Sequence, residues 1–228
     1  MPEAIILLSG GLDSSTVLAL ARESGLDIIA LTFDYGQRHK REIESAKRIA
    51  GHFHVKEHLL VPLDLGRLLA SSLTQRSMEV PLGRDRKEIG SGIPSTYVPS
   101  RNIIFLTIAS AIAESRGSRS VFIAANAVDF SGYPDCTPEF IESFQKTLDI
   151  GTRAGREGKG IRIEAPILHM SKSEIVKEAV RLKVPLELTW SCYEGGRKAC
   201  GKCDSCLLRL EGFKEAGFED PLEYEVRR

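Results

Sequence analysis

The sequence predicts an α/β fold: a doubly wound, mostly parallel five-stranded sheet, followed by a small cysteine-bearing C-terminal segment. Three observations predict it. Short apolar runs alternate with amphipathic stretches along the first 185 residues, the pattern of parallel strands joined by helical crossovers. A glycine- and serine-rich turn, "LLSGGLDSS" (7–15), joins the first apolar run to the first helical one. Four cysteines gather at positions 192–206, after the alternation has ended.

The elements follow in order. "AIILL" (4–8) is a short apolar run, as expected of a strand buried on both faces. Val17, Leu18, Leu20 and Ala21 then recur at helical spacing, and Gly25 supplies a C-cap. A second strand is expected over 27–36, a helix over 41–53 and a third strand over 54–63. Residues 68–100 lose periodicity and gain Gly, Pro and charge, which suggests a lid or binding loop. A strongly apolar helix is expected over 101–117 and a fourth strand over 120–127. The helix over 137–155 opens with Thr137 as cap and Pro138 at its first position. A fifth strand is expected over 161–167, then a helix over 171–184 whose Ser171 and Glu174 form a capping box. In such a Rossmann-like sheet, ligands bind beyond the carboxyl ends of the strands. The first loop, "FDYGQRH", "NAVDFSGYPDC" and "PILHMSKSE" all belong there. Residues 1–185 are expected to form a nucleotide-binding domain, with 186–228 a metal-binding segment packed on it.

Composition narrows the function classes. The 31 basic and 31 acidic residues cancel, so no electrostatic footprint for nucleic acid is expected. The N-terminus lacks a basic leader, and no apolar run is long enough to span a membrane, so a cytoplasmic protein is expected. In that compartment five cysteines favour metal binding or catalysis over disulfides.

The first loop has the chemistry of an anion site. Gly10 and Gly11 let backbone N–H groups approach a phosphate, Ser9, Ser14 and Ser15 add hydroxyls, and the helix N-terminus adds its dipole. Leu8 and Leu12 complete the expected cradle with Asp13. Neither GxxxxGK[ST] nor GxGxxG is present. Capping by Asp13 or Ser14 is the structural alternative. Cys192, Cys200, Cys203 and Cys206 stand at C-x7-C-x2-C-x2-C, which suits a closed tetrahedral zinc site. An iron–sulfur cluster is the rival, although the downstream Cys-Pro of the ferredoxin pattern is missing. Cys136 lies outside this group and reads as a small buried residue.

SGGxDS after a first strand resembles the signature of the PP-loop ATP pyrophosphatase superfamily, whose members hold the pyrophosphate of ATP and transfer AMP to a substrate oxygen. With "FDYGQRHKREIESA", "STYVPSRNIIFL", "NAVDFSGYPDCTPEFI" and "SCYEGGRKACGKCDSC" in view, the chain resembles the 7-cyano-7-deazaguanine synthases over its full length. The resemblance implies conversion of 7-carboxy-7-deazaguanine, ammonia and ATP to the nitrile in queuosine biosynthesis. It also implies a homodimer and zinc on the four cysteines.

Residue roles follow as expectations. Mg²⁺ accompanies ATP, with Asp13 as its partner. Lys172, at the start of the last crossover helix, brings positive charge to the phosphates. Arg101 pairs with the substrate carboxylate or the α-phosphate. Phe33 and Gln37 hold adenosine. A guanine-like edge presents N–H donors, for which Asp129 and Asp135 are acceptors, with Ser131, Tyr133, Asn102 and Asn126 around it. His39 is expected at the surface. Three rival readings remain at this point: a PP-loop tRNA-thiolating enzyme, a glutamine-dependent amidotransferase fed by a partner, and a non-catalytic ATP- and zinc-binding module.

Overall fold

Strands β1 (Glu3–Leu7), β2 (Asp27–Asp34), β3 (Glu57–Pro62), β4 (Ser120–Phe122) and β5 (Arg162–Glu164) form one sheet in the order β3-β2-β1-β4-β5. Every pairing is parallel, with Ile5 opposite Ile29 and Val121. The computed structural model describes residues 2–128 and 132–226. Strand order reverses between β1 and β4, so a crevice opens beyond their carboxyl ends.

The period-2 alternation of side chains makes two cores from one sheet. Ile5, Ile29, Leu31 and Val121 face helix α4 (Arg101–Arg116) and α5 (Pro138–Gly151). Ile6, Ile28 and Ala30 face α1 (Leu12–Glu23), α2 (Arg41–His52), α7 (Lys172–Arg181) and Phe213 of α8 (Asp204–Ala216). A third, smaller core gathers Val80, Trp190, Ala199 and the four clustered cysteines.

Several elements depart from the expected bounds for local reasons. The fourth strand pairs only over 120–122, because its neighbour turns at Pro166. Beyond that point the carbonyls of Ile167 and Met170 accept from the Asn126 side chain. The chain nevertheless stays tied to its neighbour, as the N–H of Ile123 donates to Glu164 and that of Ala127 to Leu168. The helix expected over 137–155 breaks at Thr152, whose extended backbone and hydroxyl start the single turn α6 (Arg153–Arg156). Thr137 does cap α5, and Ser171 with Glu174 does form the capping box of α7.

Residues 68–100 are folded rather than loose. Leu73, Val80, Val98 and Ile89 are buried, and one helical turn, α3 (Arg86–Ile89), carries its own capping box. The segment straps the C-terminal region: Leu82 bridges Cys203, the N–H of Gly83 donates to Lys202, and Arg84 forms an ion pair with Asp204.

Candidate active site

The first loop takes its shape from what packs behind it. Gly10 has φ +81°, and a Cβ there would come 2.4 Å from the carbonyl of Glu42 and 2.5 Å from the amide of Ala46. Only glycine lets β1 and α2 approach this closely. The N–H of Trp190 then donates to the Gly10 carbonyl at 2.8 Å, tying the cysteine segment to the loop. Helix α1 starts at Gly11 with no side-chain cap, so neither Asp13 nor Ser14 plays that part. Ser9 and Ser14 hydroxyls lie 3.0 Å apart, and the Ser9 N–H donates to Ser14 Oγ.

A cavity of about 300 Å³ opens above the loop at the sheet's reversal point. Leu8, Ser9, Gly11, Leu12, Asp13 and Ser14 line it from the loop. Phe33, Gln37, Arg101, Asn102, Asn126, Tyr133 and Lys172 line it from the surrounding elements. Two expected cradle residues do not line it. Gly10 lies behind the loop, and Ser15 turns its hydroxyl to the Gly11 carbonyl at 2.8 Å.

Asp13 and Lys172 meet although 159 positions separate them. Lys172 Nζ donates to both Asp13 carboxylate oxygens, at 2.9 and 2.7 Å. The pair is partly buried, and the lysine stem runs beside Gly212, where a Cβ would come 2.4 Å from Lys172 Cγ. Across the cavity, the guanidinium of Arg101 sits 5.7 Å over the Tyr35 ring and 3.4 Å from its hydroxyl. Phe33 stacks on Phe105 with centroids 4.0 Å apart, forming one apolar wall. Gln37 is saturated by its neighbours: it accepts from the Tyr35 N–H and donates to the Phe33 carbonyl and to Glu42. That arrangement makes it a brace for the turn after β2.

Asp135 is placed differently from expectation. It is buried, it is not among the cavity-lining residues, and its carboxylate accepts the Asn102 N–H at 3.0 Å. It therefore caps α4, whose first residue is Arg101, from a distant part of the chain. Burial raises its carboxyl, opposed by that N–H. The Asn102 side chain donates to the Asp135 carbonyl and to Cys136 Sγ. Asn126 likewise spends its amide on the turn after β5. Tyr133 is buried, and its hydroxyl reaches Thr96 at 2.8 Å and Tyr193 at 3.4 Å. Asp129 and Ser131 lie outside the described residues.

His39 is not the surface residue expected. Its ring is half-buried against Gly195, where a Cβ would come 2.1 Å from Cγ, and desolvation lowers its pKa. Cys136 lines the cavity, and burial pushes its thiol up to about 12, so it is an un-ionised thiol at neutral pH.

Among the cavity-lining groups that sequence reasoning missed are Glu42, Tyr35, Trp190 and Tyr193. Tyr193 follows the first clustered cysteine, and Tyr35 stands between the two residues chosen from "FDYGQRH", so adjacency was an available signal for both. Burial pushes the Glu42 carboxyl up to about 7, against the opposing pull of Arg101 and the Gln37 amide.

The four cysteines are buried, and their sulfur atoms all lie within 4.8 Å of one another. Four thiolates about 2.3 Å from one tetrahedral zinc would be ~3.8 Å apart, so modest closure of this cluster satisfies a metal. Backbone N–H groups also point at sulfur: Cys200 at Cys192 Sγ, and Lys202 and Cys203 at Cys200 Sγ. Such donors favour thiolate, and a four-sulfur set leaves no open ligand position.

A 7-cyano-7-deazaguanine synthase of Thermoplasma acidophilum is 54% identical over 223 residues, covering 98% of this chain and 92% of that protein. One from Acetivibrio thermocellus is 51% identical over 227 residues, covering the whole of both. Among solved structures, a predicted subunit of a tRNA methyltransferase from Methanocaldococcus jannaschii aligns with a TM-score of 0.51 at 16% identity, over 100% of this chain and 94% of that one. An NMN synthetase from Francisella tularensis gives 0.50 at 15% identity, over 96% and 78%. These two likenesses bear on the fold alone. The family model for queuosine biosynthesis protein QueC matches residues 3–217, and this chain belongs to that family.

Proposed function

We propose that this protein is an ATP-dependent ligase that converts 7-carboxy-7-deazaguanine and ammonia to 7-cyano-7-deazaguanine, through an adenylated carboxylate and an amide. One observation carries the reading most directly: a single cavity joins the lysine-free loop, the Asp13–Lys172 pair and Arg101, on a chain about half identical to named synthases.

The chemistry needs what these residues offer. A carboxylate does not yield to ammonia, because oxide would have to leave. Attack of a carboxylate oxygen on the α-phosphorus of ATP expels pyrophosphate and leaves an acyl adenylate. Ammonia then adds to the acyl carbon, and AMP departs with the former carboxylate oxygen. Activating the amide oxygen in turn lets the nitrile form. Each activation is favoured by donors preorganised around the departing phosphates.

In this reading Ser9, Gly11 and Ser14 hold the pyrophosphate and Lys172 neutralises it. Mg²⁺ bound with ATP would supply charge between phosphate oxygens, with Asp13 as its carboxylate. Arg101 aligns the substrate carboxylate, while Phe33 and Phe105 give adenine an apolar wall. Tyr133 and Asn102 face the deazaguanine, and Asp135 positions Arg101 through the α4 terminus. Zinc on Cys192, Cys200, Cys203 and Cys206 would be structural, holding Trp190 and Tyr193 at the cavity wall.

Mass spectrometry of a mixture of zinc-replete protein, Mg²⁺–ATP, ammonium and 7-carboxy-7-deazaguanine tests this. Nitrile with AMP is the expected outcome. Nitrile with ADP would retain the activity and overturn adenylation in the second activation. Unchanged carboxylate with folded, ATP-binding protein would overturn the synthase.

A further inference from the structure

We infer that Glu42 binds ammonium in the cavity and removes its proton, releasing ammonia next to the activated carboxyl carbon. This assignment rests on the synthase reading.

Placement comes first. Glu42 is in the first turn of α2 and lines the cavity. Its own carbonyl lies directly behind the phosphate loop, 2.4 Å from where a Gly10 Cβ would be. Arg101 lines the same cavity, and its positive charge opposes the rise in the Glu42 carboxyl. The residue is thus flanked by the loop that holds the leaving group and by the arginine that aligns the reacting carboxylate.

Its bonding leaves room for a small cation. Oε1 accepts from Gln37 Nε2 at 2.9 Å, and the Gln37 amide is held in turn by Tyr35 and Phe33. Among the described residues Glu42 has no ion-pair partner within 4.0 Å, and Oε2 has no hydrogen-bond donor. The charged and titratable groups facing it are Arg101 from α4, and Asp34 and Tyr35 at the end of β2. Asp34 is itself engaged by Lys40 at 2.9 Å.

The chemistry then balances. Ammonium is the abundant form at neutral pH and has no lone pair with which to attack. Transfer of one proton to carboxylate gives ammonia and a neutral carboxylic acid, with no charge left on either partner, and a buried site favours that neutral pair. The nitrogen lone pair forms the C–N bond and the acyl C–O bond to AMP breaks. The departing AMP phosphate takes the proton that the nitrogen loses as the amide forms, and Glu42 returns its own proton to water before the next turnover. A carboxyl whose affinity for protons is already raised by burial is suited to the transfer.

The test compares two nucleophiles in the same protein. Ammonium requires deprotonation, whereas hydroxylamine is already neutral at neutral pH and traps the adenylate as a hydroxamate. Glu42→Gln is expected to lose about 10²-fold or more in kcat/KM for ammonium at pH 7 while losing several-fold or less with hydroxylamine. The ammonium deficit should shrink as pH rises and free ammonia accumulates. Glu42→Asp, which keeps a carboxylate, should hold the nucleophile ratio near that of the wild type. Equal losses with both nucleophiles at every pH would overturn the assignment while leaving the synthase intact. If the wild type shows no carboxylate-dependent exchange of pyrophosphate into ATP, the synthase reading fails and the assignment fails with it.

Discussion

Glu42 ties folding stability to pH. Its carboxyl pKa rises from 4.5 to about 7 on burial. A folded state that holds the proton more tightly is favoured below pH 4.5 and loses that advantage as pH climbs through 7. The shift corresponds to about 3 kcal/mol. Denaturant unfolding should therefore show wild-type stability falling across this window relative to Glu42→Gln, with the variant the more stable protein at pH 8. A flat difference between the two across pH 4–8 would contradict this. Lys172 is a charge whose partner, Asp13, is already present. Lys172→Met should cost about 10²-fold in kcat/KM for ATP, read by steady-state kinetics, because a preorganised cation is withdrawn from the phosphates. These two residues also differ in legibility. Lys172 follows a readable N-cap at a strand's carboxyl end. Glu42 sits in "REIESA", where alternating charge reads as a solvated helix face. Only the long-range fold brings it, half-buried, to the cavity wall. Asp135 misled for a related reason: a polar loop offers the same letters whether its carboxylate meets a ligand or caps a helix elsewhere.

At the scale of elements, α8 serves the loop through a missing side chain. Gly212 stands mid-helix, where alanine would be favoured by about 1 kcal/mol on propensity alone. Yet a Cβ there would collide with Lys172 Cγ at 2.4 Å and Cβ at 2.9 Å. Gly212→Ala is expected to lower thermal stability and raise KM for ATP, since α7 and α8 must part or the lysine must move. In the Lys172→Met background the same change should add little further to KM, because both act through one side chain. A full additive effect would show that Gly212 acts elsewhere. Helix and strand identities along the sheet were readable because apolar periodicity and caps agree there. The ends of β4 and β5 were not, because their pairing stops where Asn126 takes over the carbonyls of the adjoining turn. The break at Thr152 was hidden for a similar reason: a hydroxyl cap inside a helical pattern does not announce which way the chain will turn.

Across the whole molecule, the cysteine segment and the sheet meet at the candidate cavity rather than at a remote seam. Trp190 donates to Gly10, and Arg41 lies 3.9 Å over the Trp190 ring while donating to the carbonyls of Gly196 and Arg197. The strap at 80–84 closes the other side through Leu82, Gly83 and Arg84. The spacing of the cysteines foretold their meeting, but the contact between their segment and the loop depends on long-range packing that no local pattern records. Below this region, the Arg209–Asp220 pair is almost fully buried and joined by Tyr224, an anchor that does not involve sulfur. Metal removal should therefore act selectively. A bound structural zinc contributes on the order of 10 kcal/mol, and four thiolates without it repel. Amide hydrogen exchange after chelation is expected to show lost protection at 80–84 and 190–206, with β1, β2 and β4 still protected. ATP affinity should weaken in the same samples, because Trp190 no longer fixes the Gly10 carbonyl, and zinc should restore both. Full protection without metal would make the cysteines a packed core in their own right. Protection lost throughout the sheet would make the metal a condition of the entire fold.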